Sequence, residues 1–244
     1  MLAVVRLVLL GLFVVLVGIT GCIFCLIRPF HRNNAYLWAR IFGSVTRLLG
    51  LKLRVKMHPD IPAGGPYVYI CNHQNSWEIF TLAATLPPNT VTLGKKSLKW
   101  IPFFGWLYWL AGNILIDRNN KGKAHGTIAQ AAAAIKKRDI SVWMFPEGTR
   151  SGGRGLLPFK NGAFHTAYQA GVDIVPVCVS SLHDKIKLNR WDNGELLIEF
   201  MQPVHIANYR KETLRDLSKH CRDLMQNKIT ELDEAVAKRK PHDQ

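Results

Sequence analysis

The chain has 244 residues, 48% of them hydrophobic and 20% charged. That balance excludes a disordered or fibrous chain. The length excludes two full-size domains once an apolar N-terminal stretch and a charged tail are set aside. Lys+Arg 32 against Asp+Glu 17 leaves +15, an excess that attracts phosphate: nucleic acid, an anionic membrane, or a phosphorylated or acidic-carrier substrate. The cysteines Cys22, Cys25, Cys71, Cys178 and Cys221 are scattered and mostly lie in apolar runs, which argues against a disulfide framework and for a reduced, cytosol-facing compartment.

Leu7 to Ile27 carries no charge and is bounded by Arg6 and Arg28. As a helix it measures ~31 Å, about one hydrocarbon core, so it reads as a membrane anchor. A cleaved signal peptide fits poorly, because the run is too long and only Arg6 precedes it. Cys22 and Cys25 form C-x-x-C inside this apolar helix and read as two small hydrophobes. Arg28, Arg32, Arg40, Arg47, Lys52, Arg54 and Lys56 follow the anchor, a bias that places the main body in the cytoplasm. Ala35 to Gly50 predicts a second helix, with Leu37, Ile41, Val45, Leu48 and Leu49 on one face. Two such helices could also form a hairpin dipping into one leaflet, and length alone does not separate spanning from dipping. Residues 1–50 are thus a membrane helix pair, 51–237 the main domain and 238–244 a charged tail.

In the main domain, Leu51 to Met57 alternates apolar and basic as a half-buried strand does. Pro59 to Pro66 is a loop, and Tyr67 to Cys71 a buried strand. Trp77 to Leu86 predicts a helix stopped by Pro87-Pro88, and Thr90 to Leu93 a short strand. Trp100 to Trp109 is aromatic and broken by Pro102 and Gly105. Asn113 to Asp117, Val142 to Phe145 and Ile174 to Val179 are strands, as are Leu196 to Phe200 and Val204 to Ile206. Ala124 to Lys137, Asn161 to Ala170 and Tyr209 to Lys238 are helices. Strands alternating with helices predict a layered α/β/α domain with a mostly parallel sheet.

Three strand exits carry chemistry. Asn72-His73-Gln74-Asn75-Ser76-Trp77-Glu78 presents a histidine with a carboxylate five residues on, the general-base half of a triad. Ile116-Asp117-Arg118 places an arginine after a strand. Phe145-Pro146-Glu147-Gly148-Thr149-Arg150-Ser151 couples a glycine turn to an arginine shaped for phosphate. No Walker loop and no G-x-S-x-G elbow occur. The combination describes a base that activates a substrate hydroxyl beside bound phosphate, on a membrane-anchored body. The aromatics of 100–109 form a near-continuous apolar patch that suits lipid rather than nucleic acid.

N-H-Q-x(3)-E, G-N-x-L-I-D-R, F-P-E-G-T-R-S and I-V-P-V resemble the four ordered blocks of the lysophosphatidate acyltransferases, over residues from about 50 to 235. G-K-K-S-L-x-W-I-P-F-F-G resembles the bacterial members. The resemblance implies acyl transfer from acyl carrier protein or a coenzyme A thioester to the sn-2 hydroxyl of lysophosphatidate, at a bacterial inner membrane, with no metal or prosthetic group. By position, it makes His73 the base and Glu78 its orienter. Arg118, Glu147, Gly148, Thr149 and Arg150 would hold the glycerol phosphate, with Lys95 as a further phosphate contact. Pro176 would be structural or line the acyl channel. The family's first block is H-x(4)-D, and Glu78 departs from it; the extra methylene moves the carboxylate by roughly 1.2–1.5 Å, one carbon–carbon step.

Overall fold

The most apolar segments of the main domain form the middle of a sheet. β2 (Val68–Cys71) and β6 (Ile174–Val179) are buried at every position and lie side by side, Ile70 opposite Pro176. Strands covered on both faces read as continuous apolar runs. The structure, a computed structural model, describes residues 1–61, 65–116 and 124–239. Within them β1 (Lys52–Met57), β3 (Thr90–Lys95), β4 (Ile114–Ile116), β5 (Ser141–Met144) and β7 (Glu195–Phe200) complete a seven-stranded sheet of order β1-β7-β6-β2-β5-β3-β4. All neighbours are parallel except β6 and β7. The C-terminal ends of β2 to β6 therefore share one edge, the usual ligand edge of an α/β sheet. One helical group on the sheet is α5 (Ala124–Arg138), α6 (Gly162–Ala170) and α7 (Leu214–Arg239). The other is α1 (Leu2–Ile27), α2 (Asn34–Leu48), α3 (Glu78–Thr81) and α4 (Phe104–Leu110). This is the layered, mostly parallel α/β fold that the alternation predicts.

Several elements differ from the sequence reading. The helix expected over 77–86 is only α3 followed by a 3₁₀ turn at Ala83–Thr85. Segment 100–109 is not broken at Gly105, which lies inside α4. A Cβ there would sit 2.0 Å from the Leu98 carbonyl oxygen, so this glycine permits a close contact rather than ending a helix. Val204 to Ile206 makes only a bridge from Val204 to Ile174 before a 3₁₀ turn, and α7 begins at Leu214 rather than Tyr209. β1 is exposed along most of its length because it is an edge strand, its Lys52, Arg54 and Lys56 paired with Asp192, Glu195 and Glu199. The buried face of α2 centres on Ala35, Phe42, Val45 and Thr46, leaving Leu37 and Ile41 half-buried.

The first helix starts at Leu2, so Arg6 lies within it rather than bounding it. Arg6 is buried at 2% exposure, donates to the Leu188 and Arg190 carbonyls and lies over the Trp191 ring. Ala3 N–H donates to Asn189 beside it. Farther along, Phe13 meets Phe42, and Phe24 meets Trp38. At the far end Phe30 N–H donates to the Leu110 carbonyl. Both ends of α1, roughly 39 Å apart at 1.5 Å per residue, therefore touch the same body. Its other face exposes Val4, Leu7, Val8, Leu12, Leu16, Ile19, Ile23 and Leu26, and Trp100, Trp106 and Trp109 around α4 are exposed as well.

Candidate active site

β2 delivers the chain to the ligand edge, and Asn72 fixes where it leaves. Its side chain bonds both to the Val179 carbonyl and to the Val179 N–H, each at 2.9 Å, so the exits of β2 and β6 are locked together. His73 follows. Its Nδ1 bonds to Glu78 Oε2, and Glu78 Oε1 accepts the Gln74 N–H at 2.7 Å. Glu78 is the first residue of α3 and only 4% exposed. The added methylene is thus absorbed by a carboxylate that bridges the histidine ring and the loop backbone. The imidazole stacks on Phe145 with ring centroids 4.0 Å apart. With Nδ1 committed, Nε2 is the nitrogen left to take a proton.

Glu147 has a different place from the one its motif suggested. It is 3% exposed, and its two oxygens accept the His73 N–H at 2.6 Å and the Leu157 N–H at 3.0 Å. Burial pushes its carboxyl above the ordinary range, against the lowering by those two amides. A carboxylate so occupied repels rather than holds a phosphate, so it braces the histidine loop. Ser151 N–H to the His73 carbonyl (2.7 Å) and Gly152 N–H to the Gln74 carbonyl (3.0 Å) clamp the two loops from the other side. Gly148 turns the 145–152 loop at φ +71°, a left-handed conformation that favours glycine. Gln74, which the sequence reading did not single out, ties the same loop to β6 through the Ser180 carbonyl and the Leu182 N–H. Its only sequence signal is a polar residue beside the histidine.

Beside His73 lies a cavity of about 290 Å³. Its apolar walls come from α2 (Trp38, Phe42), the 79–86 segment (Ile79, Leu82) and α4 (Phe104, Leu107), and its polar lining includes His73, Ser76, Glu78, Lys95 and Arg150. Lys95 and Arg150 are exposed, and neither pairs with a carboxylate among the described residues. Thr149 is exposed and Gly148 half-buried, and neither lines the cavity. Arg118, with Asp117, lies outside the described residues, as does the tail from 240. Pro176 is buried mid-strand and is not on the cavity wall. Its carbonyl accepts the Met201 N–H at 2.9 Å, so its missing N–H lies on the β7 side, just past the last ladder residue of β7, and not in the ladder with β2. Among the described residues no group of three His, Cys, Asp or Glu is placed to hold a metal. Cys71, next to the site in sequence, is fully buried and its thiol is pushed well up by that burial, so it is no nucleophile.

A histidine–carboxylate pair at the ligand edge, two cations with no carboxylate partner among the described residues and an adjoining apolar chamber form an arrangement chemically able to activate a hydroxyl of an amphiphile. The family model for acyltransferases matches residues 52–180. The chain is 51% identical to the 1-acyl-sn-glycerol-3-phosphate acyltransferase of Escherichia coli (strain K12), over 98% of both chains. It is 48% identical to that of Haemophilus influenzae, over 98% of this chain and 99% of the other. The crystal structure of the 1-acyl-sn-glycerophosphate acyltransferase from Thermotoga maritima shares the fold, with a TM-score of 0.72, 22% identity, and coverage of 94% of this chain and 97% of that one. The chain belongs to the acyltransferase family.

Proposed function

We propose that this enzyme moves a fatty acyl group from a thioester to the sn-2 hydroxyl of 1-acyl-glycerol-3-phosphate, giving phosphatidate for phospholipid synthesis. The observation that carries the reading is the His73–Glu78 pair, which shares one cavity with Lys95 and Arg150. His73 Nε2 takes the hydroxyl proton as the oxygen attacks the thioester carbonyl; Glu78 stabilises the imidazolium that forms. Collapse of the tetrahedral intermediate expels the thiolate, which recovers the proton from His73. Arg150 and Lys95, with Arg118 by its motif position, hold the acceptor phosphate. The apolar chamber takes an acyl chain. Donors are acyl carrier protein or coenzyme A thioesters, both anionic and both matched by the net charge of +15.

The membrane reading follows from α1. Contact at both ends favours a helix lying along the body within one leaflet, its exposed apolar face and the tryptophans near α4 in lipid, over one that spans. The basic run after α1 supports a cytoplasmic catalytic face, on the inner membrane of a bacterium. The test is a purified-enzyme assay offering lysophosphatidate, glycerol 3-phosphate and water as acceptors with each donor type. Phosphatidate should dominate. Predominant acylation of glycerol 3-phosphate, or release of free fatty acid, would overturn the assignment.

A further inference from the structure

A second cavity, of about 300 Å³, opens between the entry to α6 and the first turns of α7. Lys160 and Asn161 line one side; Arg215, Ser218, Lys219 and Arg222 line the other. None of them borders the cavity beside His73. Residues 215, 219 and 222 recur at spacings of four and three, so one face of α7 turns three cations into this space. None of the four cations pairs with a carboxylate among the described residues, whereas each basic residue of the β1 edge has one. Ser218 is buried at 5% exposure, and its hydroxyl bonds to no other described residue. Asn161 precedes α6 without a side-chain bond to the helix. The tip of the Lys160 side chain lies against Gly148 of the catalytic loop, so the charges that face this concavity are the three of α7; they repel each other, and an anion relieves that repulsion.

We propose that this cavity is an accessory site for a phosphate-bearing ligand, separate from the acceptor site. The ligand's oxygens meet the Arg215, Lys219 and Arg222 donors, with the Ser218 hydroxyl and Asn161 amide completing the shell. The site is wired to the catalytic loop. Arg222 donates to the Leu156 and Leu157 carbonyls at 2.9 and 3.3 Å, and the Leu157 N–H is held by Glu147, which also holds the His73 N–H. The Lys160 N–H donates to the Pro146 carbonyl at 2.8 Å. An anion that fixes Arg222 thereby stiffens the segment that seats His73. The phosphate could arrive on a lipid headgroup or on a soluble nucleotide, such as the one coenzyme A carries.

The full chain in non-ionic detergent at low salt tests this with inorganic pyrophosphate as the probe. At a hundredfold excess over Kd, a site that binds only the folded state raises Tm by roughly 5–10 °C. The Arg215→Gln/Lys219→Gln variant should lose at least half of the wild-type shift, and without anion should melt no lower than wild type because repulsion is relieved. The remote Lys136→Gln/Lys137→Gln variant should keep the full shift. Pyrophosphate should also slow amine labelling of Lys219, but not of Lys136, at least fivefold in the wild type, a readout that needs no variant. Equal shifts in all three proteins, or labelling slowed alike at both lysines, would overturn the proposal. Repeating the melts with phosphatidylglycerol micelles and with adenosine 3′,5′-bisphosphate assigns the source: the ligand whose shift the double variant loses is the one bound. If the variant loses neither shift, the site is refuted.

Discussion

Replacing Glu147 by Gln separates a brace from a phosphate ligand. In the structure one oxygen accepts the His73 N–H and the other the Leu157 N–H. Gln keeps one acceptor and turns an NH₂ toward the remaining amide. The change loses a charge-assisted bond of ~1.5–3 kcal/mol and orphans a buried N–H at ~1–3 kcal/mol. Burial already disfavours the charge, so its removal returns part of that cost. A net loss of about 1–3 kcal/mol remains, which for a chain of this size lowers Tm by roughly 2–12 °C. Because the His73 backbone loses its tether, kcat should fall while KM for lysophosphatidate stays nearly constant. Thermal melts and steady-state assays in mixed micelles measure both. A carboxylate touching the phosphate would behave oppositely: its neutralisation would lower KM. A lowered KM with unchanged Tm would refute the brace.

Glu78→Gln should reduce kcat by ~10²–10⁴, since the imidazolium loses its counter-charge. Glu78→Asp should lose only about tenfold, because one short carboxylate cannot reach both the His73 ring and the Gln74 N–H and forfeits one bond; single-turnover rates decide, and equal losses would contradict the orienting role. Arg150→Ala should raise KM for lysophosphatidate about tenfold without affecting the thioester KM, and Arg150→Lys should recover part of that because the bidentate fork is lost; equal rises for both substrates would mean a folding defect instead. Arg6→Ala should free the start of α1 from the 188–191 loop, read as faster hydrogen exchange over residues 2–10. Unchanged exchange there would mean that Arg6 does not hold the start of α1.

The central sheet was legible because β2 and β6 are continuous apolar runs and the site loops follow strands directly. The His73–Glu78 spacing was legible too, since a histidine at a strand exit and a carboxylate at the next helix start face one another. Contacts between loops distant in sequence were not. Nothing local separates a carboxylate that accepts two backbone amides, as Glu147 does, from one aimed at a ligand. Gly105 looked like a breaker because its reason, the Leu98 carbonyl, lies across a turn. The posture of α1 was equally hidden: its composition suits any apolar setting, and it is the contacts of Ala3 and Arg6 with the 188–191 loop that rest its first turns on the body. Pro87 holds Leu86 extended and so ends the helical stretch at Thr85, the last residue of the 3₁₀ turn that follows α3.

The most direct measurement of the central claim is phosphatidate formation from lysophosphatidate and an acyl thioester by purified wild type and His73→Ala, with melting curves recorded on the same samples. The wild type should form phosphatidate, the variant should show a kcat at least ~10²-fold lower, and the two melts should superimpose. A folded His73→Ala protein that still formed phosphatidate within a few-fold of the wild-type rate would contradict that claim.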